Sequence, residues 1–310
     1  MDIKVQYDNK AKDLLSQKII LAHILAGVVD EFRGLNPEDI VKYIEGEPYV
    51  GIVPLDSGYT NEEYPDKNGN KIIGMNTESE EINEGIIRFD ILFYVRTPNG
   101  VSKIIINVEA QKGTNLSYFL LNRAIFYGCR LISSQKSRDF TNSNYNDLQT
   151  VYTIWLVMNR DKCSITHIHL TKDNILGEYD WNGNLDMLNI VFVGLSNQPP
   201  EYEEKYKLLR LLSVLFSDIL DKEEKCNILN NEYDMGSYDA VERNVVDMCN
   251  LSLGIEERGI EQGIEQGIEQ GIEGMIYNMY TKGYTKEQIA DVSNKTVEEI
   301  NMIIKNCSQK

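Results

Sequence analysis

Two apolar runs joined by a turn constrain this chain more than anything else in it. Residues 85–96 and 101–109 are dense in branched and aromatic side chains, and Thr97-Pro98-Asn99-Gly100 between them carries the Asn-Gly of a tight reversal. The spacing predicts an antiparallel hairpin. A lone hairpin is marginal in water, so further elements must cover its apolar faces. Downstream, Leu116, Phe119, Leu120, Ala124, Tyr127 and Leu131 lie on one side of a predicted helix over 115–132, and strands are expected over 151–158, 164–170 and 187–195. An amphipathic helix over 201–220 closes this block. Upstream, Leu14, Leu15, Ile19, Leu21, Ala22, Leu25, Ala26 and Val29 predict a helix over 10–33, with Gly34 as its stop. A short helix begins near Asn36-Pro37, and 49–70 is loop with one short strand. Two strands, a helix and then more strands indicate the α+β class, not strict βαβ alternation.

Composition shifts beyond residue 254. Gly259, Gly263, Gly267 and Gly271 lie four apart, each followed by Ile-Glu. Ile260, Ile264, Ile268 and Ile272 would form an apolar stripe on a helix, but each interior Gly costs about 1 kcal/mol relative to Ala. The segment is therefore expected to be helical only when its stripe packs on the core or on a second copy, which makes 255–275 a candidate homodimer contact. The glycines are no phosphate loop, because no strand precedes them and no Lys-Ser/Thr follows. Thr285…Gln288 and Thr296…Glu299 match the capping-box pattern, so two short helices follow. They resemble a helix-turn-helix in spacing, but the second offers Glu and Asn and no Arg to base edges. Three parts result: 1–235 as the core, 236–275 as the repeat segment and 276–310 as a small helical module, which binds either DNA or protein.

Charge sets the next limit. The 310 residues include 31 basic and 48 acidic side chains, a net of −17. A chain this acidic does not bind polyanions over its whole surface, so any nucleic-acid contact must be local. One segment suits that: residues 86–140 hold Arg88, Arg96, Lys103, Lys112, Arg123, Arg130, Lys136 and Arg138 against Asp90, Glu109 and Asp139, a local +5. Five scattered cysteines with no Cys-x-x-Cys pair argue against a disulfide framework or structural zinc and fit reduced thiols in a cytoplasm. The opening Met1-Asp2-Ile3-Lys4 lacks a signal-peptide core, and no apolar run reaches membrane-spanning length, so a soluble protein without a membrane partner is expected.

Within the hairpin, Asp90 and Glu109 stand in the middle or at the end of apolar strands. Unpaired buried carboxylates are costly and find a cation or neutralise. Alternation places Glu109 and Gln111 on one face, and Asp90 with Arg88 and Leu92 on another strand's face. Two strand carboxylates plus a backbone carbonyl make an oxygen-rich site suited to Mg²⁺ or Mn²⁺. The alternative is structural: Asp90 paired with Arg88, or Glu109 with Arg123.

These residues carry a resemblance. Ile87-Arg-Phe-Asp-Ile-Leu-Phe93, Asn107-Val-Glu-Ala-Gln111 and Arg123-Ala-Ile-Phe-Tyr127 followed by Leu131-Ile-Ser-Ser-Gln135 resemble the PD-(D/E)XK nuclease superfamily. Within it they are similar to the transposase-like branch known as recombination-promoting nucleases. Ala11-Lys-Asp-Leu-Leu15 and Ile44-Glu-Gly46 add to the likeness, which covers roughly residues 1–230. The resemblance implies a restriction-endonuclease-like mixed sheet flanked by helices, with a C-terminal helical tail. It implies a Mg²⁺- or Mn²⁺-dependent DNA endonuclease, serving recombination or a mobile element. Asp90, Glu109 and the Ala110 carbonyl would hold the metal, with Asp90, Glu109 and Gln111 as the catalytic set. Gln111 stands where the motif usually has Lys; it can orient a water or a phosphate but brings no charge. Arg88, Lys112, Arg123 and Tyr127 would bind phosphate or support the site; Glu31, beside Asp30, either adds a third acid from the end of the first helix or is simply a solvated helix end. The rival reading is a catalytically silent nuclease fold that acts as a DNA-binding or protein-interaction module. His167 and His169, on one face of a strand with no acid or Cys near them in sequence, are expected to be ordinary strand histidines.

Overall fold

A computed structural model of the protein describes residues 3–50, 63–65, 71–73, 78–81, 85–88, 90–98, 103–111, 118–136, 139–140 and 142–307. It contains α1 (Ile3–Leu15), α2 (Lys18–Val28), α3 (Pro37–Ile40), β1 (Tyr49–Val50), β2 (Glu63–Pro65), β3 (Lys71–Ile73), β4 (Glu78–Glu81) and β5 (Gly85–Arg88). Then come β6 (Ile91–Arg96), β7 (Lys103–Gln111), α4 (Leu120–Ser133), β8 (Thr150–Val157), β9 (Ser164–His169) and β10 (Leu188–Gly194). The chain ends with α5 (Lys207–Phe216), α6 (Lys222–Tyr233), α7 (Asp239–Thr281), α8 (Lys286–Ser293) and α9 (Val297–Cys307). It forms two compact units, Met1–Cys249 and Asn250–Lys310.

The first unit is mixed α+β. Its six-stranded sheet runs β1-β6-β7-β8-β10-β9, flanked by helices. The two apolar runs pair as expected: β6 and β7 are antiparallel, with Ile91 opposite Val108 and Arg96 opposite Lys103, while Asn99-Gly100 lies outside the described residues. β7 then runs parallel to β8, with Glu109 opposite Trp155. A parallel pair needs a crossover, and α4 is that crossover. β8 and β10 are also parallel, and β9 closes the edge antiparallel to β10. Leu92, Tyr94, Ile105, Val151, Trp155, Leu188 and Ile190 pack on this side against Ala124, Tyr127 and Leu131 of α4. Ile104, Ile106, Val108, Ile154, Val191 and Val193, which alternate with them, are buried on the opposite face.

Several elements differ from the sequence expectation, and the stretch 49–70 holds two short strands, β1 and β2, instead of one. The helix over 10–33 is two helices, because Gln17 takes an extended backbone (φ −62°, ψ 125°) between them. The Ser16 hydroxyl and the Gln17 side-chain amide donate to the Asp13 carbonyl at 2.9 and 3.0 Å, which satisfies the end of α1 without continuing it. The run 85–96 is likewise not one strand: β5 pairs with β4 in a separate two-stranded sheet, and β6 starts afresh at Ile91 after a bend at Asp90. Finally, the helix expected over 201–220 is regular only over α5. Ser217 ends it, its hydroxyl donating to the Asn197 carbonyl at 2.9 Å and accepting from the Ile219 and Leu220 amides.

In the second unit, Ile276, Ile289, Ile300, Ile303 and Ile304 form one apolar cluster. Both capping boxes are present: Thr285 with Gln288, and Thr296 with Glu299. The glycine repeat lies inside α7, helical although Ile264 and Ile268 are 58% and 59% exposed. Its helicity therefore does not wait on those two isoleucines being covered within the chain. Among the described residues, no helix is long and apolar enough to cross a membrane.

Candidate metal and phosphate site

The bend that breaks the strand at residue 90 creates the site. Where the β6–β7 backbone ladder stops, the two acids continue it with side chains. The Asp90 amide donates to Glu109 Oε1 at 3.2 Å, and the Ala110 amide donates to Asp90 Oδ2 at 3.0 Å. These reciprocal bonds hold both carboxylates at one end of the sheet. They leave Asp90 Oδ1 and Glu109 Oε2 turned elsewhere, and each meets a cation. Lys12 of α1 places its ammonium 2.9 Å from Asp90 Oδ1, and the Arg123 guanidinium of α4 lies 3.9 Å from Glu109 Oε2.

Glu109 is only 3% exposed, so its charge depends on such partners. Arg123 is held from several sides. It donates to the Tyr118 hydroxyl at 3.0 Å and to the Tyr127 hydroxyl at 2.9 Å. Its guanidinium carbon also lies 4.9 Å from the Tyr127 ring centre and 5.4 Å from that of Trp155, within cation–π range. Burial opposes the charged guanidinium, but the two tyrosines and Glu109 outweigh it, so the Arg123 pKa lies above its ordinary value. Burial also raises the Tyr127 phenol; Arg123 works against this, while Glu109 and Asp90 add to it.

Of the residues singled out in the sequence, the fold gathers Asp90, Glu109, Ala110, Arg123 and Tyr127. Gln111 ends β7 opposite Val157, but its side chain lies outside the described set, as does that of Arg88 in β5; Lys112 lies wholly outside it. Glu31 is elsewhere. Its carboxylate accepts from the Tyr152 hydroxyl at 3.4 Å, and Tyr152 alternates with Trp155 to the opposite face of the sheet. On that face Tyr152 stacks on His167, which stacks on His169 at 5.0 Å and bonds to Asn189 at 2.8 Å. The histidines are thus side chains of an exposed edge strand, partnered by aromatic and amide groups. The basic segment is partly spent on structure: Arg96 pairs with Glu45, and Arg130 is buried in α4.

Sequence reading missed Lys12, Tyr118 and Trp155. Register alone could have found Trp155, since it stands beside Glu109; nothing in the spacing ties Lys12 to Asp90. The donor set suits a hard divalent cation. Two carboxylates at a sheet end are the kind of oxygen ligand that Mg²⁺ takes while keeping several waters. Among the described residues no group of three or more His, Cys, Asp or Glu side chains gathers to hold a metal. No protein-family model, curated protein or solved structure matches the chain.

Proposed function

We propose that this protein is a divalent-metal-dependent DNA endonuclease with a restriction-endonuclease-like core, acting in the cytoplasm in recombination or on a mobile element. One observation carries the reading: the crossed hydrogen bonds between Asp90 and the Glu109-Ala110 strand end, which juxtapose two carboxylates while leaving the second oxygen of each to Lys12 and to Arg123. Asp90, Glu109 and the Ala110 carbonyl would hold Mg²⁺ or Mn²⁺, which when bound supplies a water of lowered pKa and neutralises charge at the scissile phosphate. The chain's own groups do the rest. Arg123, held by Tyr118 and Tyr127, would receive a non-bridging phosphate oxygen beside Glu109. Gln111, on the same strand face as Glu109, is suited to orient a water or a phosphate by hydrogen bonding. Contact with DNA is confined to this strip, as the net charge of −17 demands.

A silent nuclease-fold module has one observation in its favour: Lys12 and Arg123 already balance both acids without a metal. Plasmid nicking by the full chain, with and without Mg²⁺ or Mn²⁺, separates the two. The endonuclease reading expects metal-dependent nicking and a rise in melting temperature with metal, both abolished in Asp90→Asn and Glu109→Gln. A chain that neither nicks nor gains stability in either metal is the silent module.

A further inference from the structure

We propose that the outer face of α4 is a stacking surface for unpaired nucleotides, so that the DNA this protein takes is single-stranded or locally opened. What then happens to the strand rests on the endonuclease reading; how the strand is held rests on α4 alone. α4 turns Ala124, Tyr127 and Leu131 to the sheet. Its outer side does not carry the charged residues usual on a solvated helix face. It carries Leu121, Ile125 and Phe126, with Phe119 at the N-cap and Tyr118 just ahead, and all five are exposed. Phe119 is 80% exposed and Phe126 48%. Single exposed apolar side chains are ordinary, but five gathered on one helix form a patch, and such a patch marks a contact.

Charge selects the occupant. Residues 110–138 hold no Asp or Glu, in a chain with 48 of them, and carry Lys112, Arg123, Arg130, Lys136 and Arg138. An apolar face in an acid-free, cationic stretch calls for an occupant that is anionic and has flat apolar faces. Unpaired nucleotides are both. A two-fold contact with a second copy would instead set this cationic stretch against itself, with no acid on either side to balance it. Spacing then favours an open strand over a duplex. Phe119, Arg123 and Phe126 fall at i, i+4 and i+7 and share one side of the helix. At a rise of about 1.5 Å per residue, the two phenylalanine positions stand about 10 Å apart along the axis, with Arg123 carried between them. Bases in a duplex are about 3.4 Å apart along each strand and cover one another's faces, so a protein ring reaches none except at an end. Two rings set this widely are met by neighbouring bases that have unstacked and splayed, one on each side of a phosphate drawn to Arg123.

The test uses the full chain and two probes, a fluorescently labelled oligothymidylate and a duplex of the same length, titrated without metal and read by anisotropy. The oligothymidylate should bind more tightly than the duplex. Phe119→Ala and Phe126→Ala should each weaken it by about 5- to 150-fold, with little change for the duplex. Both side chains are exposed, so the melting temperature should stay at the parental value. Phe126→Trp should bind the strand at least as tightly as the parent, and its indole emission should fall as a base stacks on it. Equal affinity for strand and duplex overturns the stacking surface, as do alanine variants that bind the strand like the parent. Metal-dependent nicking by the parent, and with it the endonuclease reading, is untouched by either result. Alanine variants that fall from dimer to monomer mass in light scattering, with strand binding unchanged, assign the face to a second copy and overturn it too. Strand binding of the expected kind in a chain that nicks in neither Mg²⁺ nor Mn²⁺ keeps the surface and overturns the endonuclease reading.

Discussion

Acid should weaken this fold through one buried imidazole, and the size of the effect follows from its surroundings. His23 lies in α2, 8% exposed, with its ring edge-on to Tyr233 at 5.7 Å between centres. Burial, aided by the nearby Lys207 charge, holds its pKa down at about 4, against an ordinary 6.5. The folded protein keeps His23 neutral where the unfolded chain takes up a proton. Because the folded value is the lower one, the contribution to stability is fully present above about pH 6.5. It is lost progressively as pH falls toward about 4, and it changes no further below that. The full difference amounts to about 3 kcal/mol, and the portion between about pH 8 and about pH 5.5 to about 1.4 kcal/mol. That window stays above the sequence pI of about 4.7, where solubility is poorest. Urea unfolding of the parent and of His23→Leu at both pH values measures it. Leucine changes the packing at both pH values alike but has no proton to gain, so the difference between the two pH responses isolates the imidazole. The parent should lose about 1.4 kcal/mol more than the variant on acidification. Equal losses would refute the reasoning, since they would mean that His23 takes up its proton without unfolding.

Three further substitutions test the packing. A Cβ at Gly27 would meet Leu208 Cδ2 at 2.5 Å and its Cβ and Cγ at 3.1 and 3.2 Å, so Gly27→Ala should cost about 1–3 kcal/mol in urea unfolding despite its higher helix propensity. The opposite is expected in α7, where nothing lies within 4 Å of a Cβ at Gly263, Gly267 or Gly271. Replacing all three by Ala should raise the 222 nm helical signal and the melting temperature of that unit, by up to about 1 kcal/mol per site; no gain would mean that a partner needs the bare backbone. Arg210 grips Glu232 through two bonds of 2.5 and 2.6 Å and donates a third to the Pro200 carbonyl at 2.7 Å. Lysine cannot reproduce that fork, so Arg210→Lys should cost about 1–2 kcal/mol, read as a shift in the urea midpoint.

The hairpin was legible because branched residues on both sides of Asn-Gly leave few other solutions. Asp90 and Glu109 stood out for a related reason: acids in apolar strands demand compensation. The break between β5 and β6 was not legible, because residues 85–88 and 91–96 have the same strand character and differ only in which strand they pair with. The interruption of the first helix at Ser16-Gln17 was equally quiet, since the apolar period carries on across it and only two side chains bonding back to Asp13 mark the stop. Glu31 shows the limit from the other side. An acid at a helix end is easy to notice, but its face of the sheet depends on the register of β8, which no local pattern reveals. Lys12 meets Asp90 only once α1 has docked at the sheet end, a contact between distant parts of the chain that composition cannot encode.

The crossed bonds between Asp90 and the Glu109-Ala110 strand end also make the site a proofreader of its own sheet. Side chains along a strand alternate with a period of two, so a slip of one residue between β6 and β7 would send one carboxylate to the α4 face and the other to the opposite face. Neither crossed bond could then form, and Lys12 and Arg123 would each be left beside a gap. A misregistered sheet thus has no site and loses the two hydrogen bonds that extend its ladder. Selection on the chemistry of this corner would, by the same geometry, select for the correct zipping of the hairpin that opened the sequence.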